Sequence, residues 1–348
     1  MKKLIQLIIL FISLAYSQGG IVSGFISDSS SGEALIGANV MIQETGQGMA
    51  TDINGYYIIQ NINPGSYTLM ASYVGFRVSR IQIIISDEES IKKDIEMVED
   101  LVQLTQVDVT AEKLQRRNNI QPSKINLSPR MMKAAPALAE PDLFRTIQAL
   151  PGVLTTSEYS TGLVIRGGNT DQNLIMLDGI TVYNPSHLGG VFSNFIVDGV
   201  KEAELIKGAY NAEYGGRLSA VLNVISREGN QKEFKGKANI SLLSAQTTLE
   251  GPFYKGAWIL SGRRTYFDLV LPKVLPDNIA TNIPPYFFYD VQGHIFSDIS
   301  SKDRFSLSYY TGIDDILFDT FGLDGRWGNN TISGHWRRVF SERLVGNF

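Results

Sequence analysis

Residues able to do chemistry are sparse in this chain, and their spacing narrows the chemistry further. There are three histidines, His187, His294 and His335, and no cysteine. A thiolate nucleophile, a disulfide framework and a cysteine-zinc site are therefore excluded. The histidines lie far apart and no HExxH places two of them on one helix face, so a zinc-protease site has no ligands. Asp52 and Asn54 in TDING have the spacing of calcium-loop ligands, but the acidic ligand that closes such a loop downstream is missing, which leaves a turn. Glycines are abundant, above all in VIRGGNTDQNLIMLDGITVYNPSHLGG, Val164 to Gly190. IRGGN is not G-x-G-x-x-G, and no G-x-x-x-x-G-K-S/T occurs, so the glycines do not predict a phosphate cradle. No catalytic residue, cofactor or metal site is expected, and the chain does not read as an enzyme. With 31 basic and 35 acidic residues the net charge is −4, so no basic field calls for nucleic acid.

What remains is architecture. The chain opens MKKLIQLIILFISLAYSQGG. Lys2 and Lys3 precede an apolar run, Leu4 to Ala15, and small residues at Ala15 and Ser17 suit cleavage before Gln18. This predicts a signal peptide over 1–17 and an exported protein. The cut site has no cysteine, so a lipoprotein-type anchor is excluded. No later run approaches the roughly 18 apolar residues of a membrane helix, so any membrane embedding must use a barrel.

From 20 to 97, short strands alternate with turn signals at Asn54-Gly55 and Pro64-Gly65. Val40 and Ile42, and then Tyr67, Leu69 and Ala71, alternate with neighbours as half-buried strands of a small β-sandwich do. The Gly32 to Val40 stretch, TDINGYY and INPGSYTL followed by VGF resemble the carboxypeptidase-regulatory-like, transthyretin-like domain. That resemblance implies an accessory fold, and the segment has no histidine for peptidase chemistry. Residues 98–121 read as a linker. Within it TQVDVTAEK alternates as a strand, whereas LQRRNNIQPSKINLSPR is polar and broken by Pro122 and Pro129, the pattern of a flexible connection.

Over 122–229 a helix is expected in EPDLFRTIQALPGV, with Leu143, Ile147 and Leu150 on one face, and a tight hairpin at Asp178-Gly179. ALPGV, IRGG, LDGI, VKEAELIKG and AEYGGRLSAVLNVISREG together resemble the plug domain of TonB-dependent outer-membrane receptors. By that resemblance Thr105, Gln106, Val107, Asp108, Val109, Thr110 and Ala111 would be the TonB box. TonB would engage it by strand addition, which draws on main-chain hydrogen bonds and tolerates a loose sequence. Asn184, Ser186 and His187 would lie in an apical loop as ligand candidates, with solvation the simpler reading of His187. Arg166 and Arg217 would be plug–barrel contact candidates.

Across 230–348 longer alternating runs follow. Tyr289, Val291 and Ile295 oppose Asp290, Gln292 and His294; Phe305, Leu307 and Tyr309 oppose Arg304, Ser306 and Ser308; Ile332 and Trp336 oppose His335 and Arg337. Apolar-out and polar-in strands of about ten residues suit a transmembrane barrel, with His294 and His335 facing its lumen. Five or six strands are expected here, including one over GAWILSGRRTYFDLV. Plugged transporters close with about 22, so 230–348 is expected to be the N-terminal part of a larger barrel. The fold class expected is therefore multidomain and mainly β: a transthyretin-like sandwich, a mixed α/β plug, and the first strands of an antiparallel barrel. The resemblance implies an outer-membrane importer of a scarce solute, with the sandwich in the periplasm. Its partners would be TonB with ExbB and ExbD, outer-membrane lipid, a small-molecule, peptide or glycan ligand, and, in a SusC-type importer, a surface lipoprotein. The rival class is a secreted β-sandwich adhesion or scaffold protein, which would be soluble without detergent. A signalling receptor would carry an extra α/β domain where the sandwich stands.

Overall fold

The structure, a computed structural model, describes residues 19–86, 89–100, 124–135, 140–157, 160–241, 243–276, 285–300, 302–318, 323–341 and 344–348. The signal-peptide and TonB-box stretches lie outside the described residues. The chain divides into two compact units, Met1–Ile120 and Gln121–Phe348.

The first unit contains β1 (Gly20–Asp28), β2 (Asn39–Ile42), β3 (Gly48–Ala50), β4 (Tyr56–Ile62), β5 (Gly65–Ser72), β6 (Ser79–Ile85), β7 (Ser90–Lys92) and β8 (Ile95–Met97). One sheet runs β4-β1-β7, with β8 also pairing β1; the other runs β3-β2-β5-β6. Alternation along the strands sends Val40, Ile42, Leu69 and Ala71 inward to meet Val22, Ile26 and Tyr57. The Asp52 carboxylate accepts the backbone N–H of Asn54 at 2.8 Å and of Tyr56 at 2.9 Å, closing the turn that Gly55 completes at φ +73°.

The second unit begins with an α/β body. Its elements are β9 (Lys124–Leu127), α1 (Pro129–Ala134), α2 (Leu143–Gln148), β10 (Val153–Thr155), β11 (Leu163–Ile165), β12 (Leu174–Leu177), β13 (Ile180–Thr181), β14 (Ser186–His187), β15 (Phe192–Ser193), β16 (Val200–Ile206) and β17 (Val221–Ser226). Five strands form one sheet, β13-β12-β17-β16-β9, in which β12 and β17 are parallel. The expected helix is α2. Asp142 caps it, accepting the Arg145 N–H at 3.0 Å, and Leu143 and Ile147 are buried. The connection expected across LQRRNNIQPSKINLSPR is not all connection: Lys124–Leu127 adds to β16, and Pro129 opens α1. Proline at the first helical position loses no hydrogen bond, and Ser128 caps the turn, so a residue read as a breaker acts as a start.

The unit continues as a seven-stranded antiparallel meander: β18 (Lys235–Ile240), β19 (Ser244–Phe253), β20 (Gly256–Thr265), α3 (Phe267–Val274), β21 (Tyr286–Asp298), β22 (Asp303–Phe318), β23 (Leu323–Ser341) and β24 (Leu344–Asn347). Two expectations are corrected. The stretch FKGKANISLLSAQTTLEGPF is two strands, because Ser241 Oγ accepts the N–H groups of Leu243 and Ser244 and turns the chain without glycine or proline. The strand from Gly256 ends at Thr265, and Phe267–Val274 is helical. The expected faces do form. Phe305, Leu307, Tyr309 and Ile332 are exposed on one side, with Ile332 directly across from Tyr309. Asp290, Gln292, Ser308, Tyr310 and Asp314 are buried on the other, against the α/β body.

Candidate functional site

The contact between the α/β body and the seven-stranded sheet is built on buried charge. Arg263 on β20 reaches Glu140, just before α2, through Nη1 at 2.7 Å. Its Nε donates to Asp290 Oδ2 on β21 at 2.8 Å, and Nη2 donates to the Ser193 carbonyl at 2.6 Å. Glu140 Oε2 also accepts from Ser244 Oγ at 2.5 Å and Gln246 Nε2 at 2.6 Å. Planar guanidinium geometry suits this forked arrangement, since one side chain bridges a carboxylate on each layer.

Asp290 continues the chain of contacts. Its Oδ1 accepts from Tyr310 OH at 3.0 Å and lies 2.8 Å from His187 Nε2. The other ring nitrogen, Nδ1, lies 2.7 Å from Asp314 Oδ2 on β22. Asp314 Oδ1 accepts the Leu188 N–H at 3.0 Å and the Tyr286 hydroxyl. The imidazole stacks on Phe288 at 4.1 Å between centroids and 8° between planes. His187 and Asp290 are 0% exposed, Asp314 1%, and Glu140 and Arg263 4%. Buried charges of this kind contribute little net stability when paired, yet are costly to separate one at a time.

Lesser contacts surround this core. Gln292 Nε2 donates to the Gly199 carbonyl and to Ser226 Oγ, and Arg304 pairs with Glu228 at 3.3 Å. His335 Nε2 donates to the Asp178 carbonyl at 3.0 Å, while His294 lies 2.8 Å from Ser308 Oγ within the sheet.

The expected site residues are distributed differently from the reading. His187 is not solvated: both ring nitrogens are engaged with carboxylates of the sheet, because β14 carries it into the layer contact. The Asn184 carbonyl accepts from Asn329 Nδ2 at 2.7 Å, and Ser186 pairs with Ser193 in the β14–β15 ladder. The exposed apex of the loop is Leu188 and Gly189, one step further along. Arg217 donates to the Gly216 carbonyl and lies over the Tyr183 ring at 6.0 Å, inside the α/β body. Arg166 is exposed, at φ +50°. The most buried arginine linking the layers is Arg263, which comes from the sheet and meets a carboxylate of the α/β body; Arg227, just after β17, runs the other way and meets Glu250 on β19 at 2.7 Å. Glu140, Arg263 and Asp314 were missed by the sequence reading. The available signal was charge at lumen-side positions of alternating strands, which singled out Asp290 but not its partners.

An α/β body fastened by its polar groups to the inner face of a sheet with an apolar outer face defines a plugged-barrel class of protein. Two family models match parts of the chain. A family model described as TonB-dependent Receptor Plug Domain matches residues 127–221, and one described as CarboxypepD_reg-like domain matches 22–109. The chain thus carries a TonB-dependent receptor plug behind a CarboxypepD_reg-like domain. The TonB-dependent transporter Oar of Myxococcus xanthus is 24% identical over 241 residues, 66% of this chain and 22% of Oar. The TonB-dependent receptor SusC of Bacteroides thetaiotaomicron is 24% identical over 321 residues, 87% of this chain and 30% of SusC. This chain therefore spans less than a third of the length of either relative. A mutant of the ferric enterobactin receptor PfeA of Pseudomonas aeruginosa, known from a crystal structure, is 18% identical, with a TM-score of 0.45 over 65% of this chain and 40% of its own.

Proposed function

We propose that this chain forms the plug, the first barrel strands and a periplasmic sandwich of an outer-membrane importer that takes up a scarce solute in a TonB-dependent way. The supporting observation is the plug–barrel contact through Glu140, Arg263, Asp290, His187 and Asp314. A plug held by several buried charge pairs stays in place at rest, because separating a pair leaves an uncompensated charge, and it yields when an applied force overcomes that cost. TonB, energised through ExbB and ExbD, would supply that force through a strand added along Thr105 to Ala111.

The test is a paired measurement on the full-length receptor lacking residues 105–113. Surface binding of a labelled solute is expected to stay at the parental level, and energised accumulation is expected to cease. Accumulation at the parental rate would place the handle elsewhere. Two substitutions sharpen the result. Val107→Pro removes a main-chain donor and should act like the deletion. Val107→Ile keeps the backbone and should leave uptake intact.

A further inference from the structure

Arg263 cannot account for all the charge in the cluster around His187. Glu140, Asp290 and Asp314 are three buried carboxylates, and Arg263 pairs with the first two. Asp314 is met by His187 Nδ1, the Leu188 N–H and the Tyr286 hydroxyl. His187 presents its two nitrogens to two different carboxylates, at 2.8 and 2.7 Å. A neutral imidazole donates from one nitrogen and carries a lone pair on the other. That lone pair would face a carboxylate oxygen at hydrogen-bond distance, which is repulsive. The arrangement is satisfied when the ring donates from both nitrogens, as imidazolium.

We propose that His187 is a proton-dependent latch: its imidazolium ties the plug loop to Asp290 on β21 and Asp314 on β22, and loss of the proton frees the loop. The groups facing it act in both directions. Burial is the largest influence and favours the neutral ring; Asp290 and then Asp314 favour the charged ring and prevail, against opposition from Arg263 on β20. Tyr286 and Tyr310 donate to the same two carboxylates, Glu140 shares Arg263, and Asp142 holds the N–H of Ser193 on the strand paired with β14. The net result holds His187 above its ordinary value of 6.5. A raised histidine stabilises fully below its unfolded value and loses that contribution as pH rises through the folded one. The latch is closed in acid and opens toward alkaline pH.

Release would not stay local. Leu188, whose N–H is held by Asp314, lines a cavity of about 460 Å³ with Gly189, Tyr286, Ile316 and Trp327. Two of its seven lining residues, Leu188 and Tyr286, are hydrogen-bonded to the latch carboxylate Asp314, so opening the latch loosens that part of the wall.

The inference rests on the plug–barrel contact and not on import, so its test can fail while the uptake test succeeds, and the reverse. Hydrogen exchange of residues 184–191 is measured in the full-length receptor in detergent, between about pH 5.5 and about pH 8, corrected for intrinsic rates. The parental protein should lose protection at the alkaline end, approaching about tenfold per pH unit once the latch titrates. His187→Asn should remove this pH response. Asp314→Asn offers the neutral ring a donor amide in place of a carboxylate, so the loop should stay protected across the range. Flat protection in the parental protein overturns the proposal. So does a parental pH response in His187→Asn, or alkaline loss of protection in Asp314→Asn.

Discussion

At the scale of single residues, the plug carries a second acid whose environment sets a testable pH dependence. Glu202 on β16 is 7% exposed, and its Oε2 has no hydrogen-bond partner among the described residues. Burial pushes its carboxyl up to about 7, against the pull of Lys124 and Lys201. Between its ordinary value of 4.5 and about 7 the folded plug keeps a proton that the unfolded chain has released. Plug stability should therefore fall as pH rises through that window, by on the order of 3 kcal/mol. This is opposite in sign to the usual salt-bridged carboxylate. Glu202→Gln is expected to flatten the slope, read as hydrogen-exchange protection of β16 and β17 amides against pH. Those amides are distinct from the loop that reports on His187. Asp290 shows how far a residue-level reading reaches. Period-two alternation placed it with Gln292 and His294 on the polar face, yet its partners His187 and Arg263 lie 103 and 27 residues away.

At the scale of elements, turn chemistry was the strongest guide where a backbone conformation demanded a particular residue. Asp178 and Gly179 adopt φ +48° and +81°, and β12 and β13 pair across them with Leu177 opposite Ile180. Both central residues of this hairpin turn need positive φ, which is why Asp-Gly announces it. A Cβ at Gly179 would meet only His335 Cε1, at 3.8 Å, so there is room for a side chain. Substitution therefore tests conformation alone. Gly179→Val should destabilise the hairpin by about 1–3 kcal/mol, and Gly179→Asn by distinctly less, since asparagine tolerates the left-handed region. Protection of the β12 amides, compared in the two variants, reads the difference. Where the turn is made by a serine side chain, as at Ser241, or the helix starts on a proline, as at Pro129, the same residues serve several conformations and the reading went astray.

At the scale of the molecule, the sandwich has its own closed core of Val22, Ile26, Val40, Ile42, Tyr57 and Leu69. It should fold without the rest of the chain. Residues 19–100 produced alone are expected to unfold cooperatively in urea, and Leu69→Ala to cost about 2–5 kcal/mol through the cavity it leaves. Absence of a cooperative transition would make the sandwich dependent on its neighbours. The CarboxypepD_reg-like match extends to residue 109 and so overlaps the proposed TonB handle. The deletion of 105–113 therefore needs the urea midpoint of the sandwich beside the uptake assay. An unchanged midpoint assigns a loss of uptake to the handle itself.

The amino-acid sequence by itself determined the order of sandwich, plug and barrel strands, the apolar and polar faces of those strands, and the glycine-dependent turns. These rest on local periodicity and on backbone conformations that few residues accept. Only the tertiary structure decided that His187 is a buried bridge between two carboxylates, that Arg263 of the barrel strands reaches Glu140 of the plug, and that the loop apex is Leu188 and Gly189. Those outcomes depend on pairing groups up to 127 residues apart. Whether a buried charge is satisfied is a property of the partners that the fold assembles around it, and no local pattern carries that information.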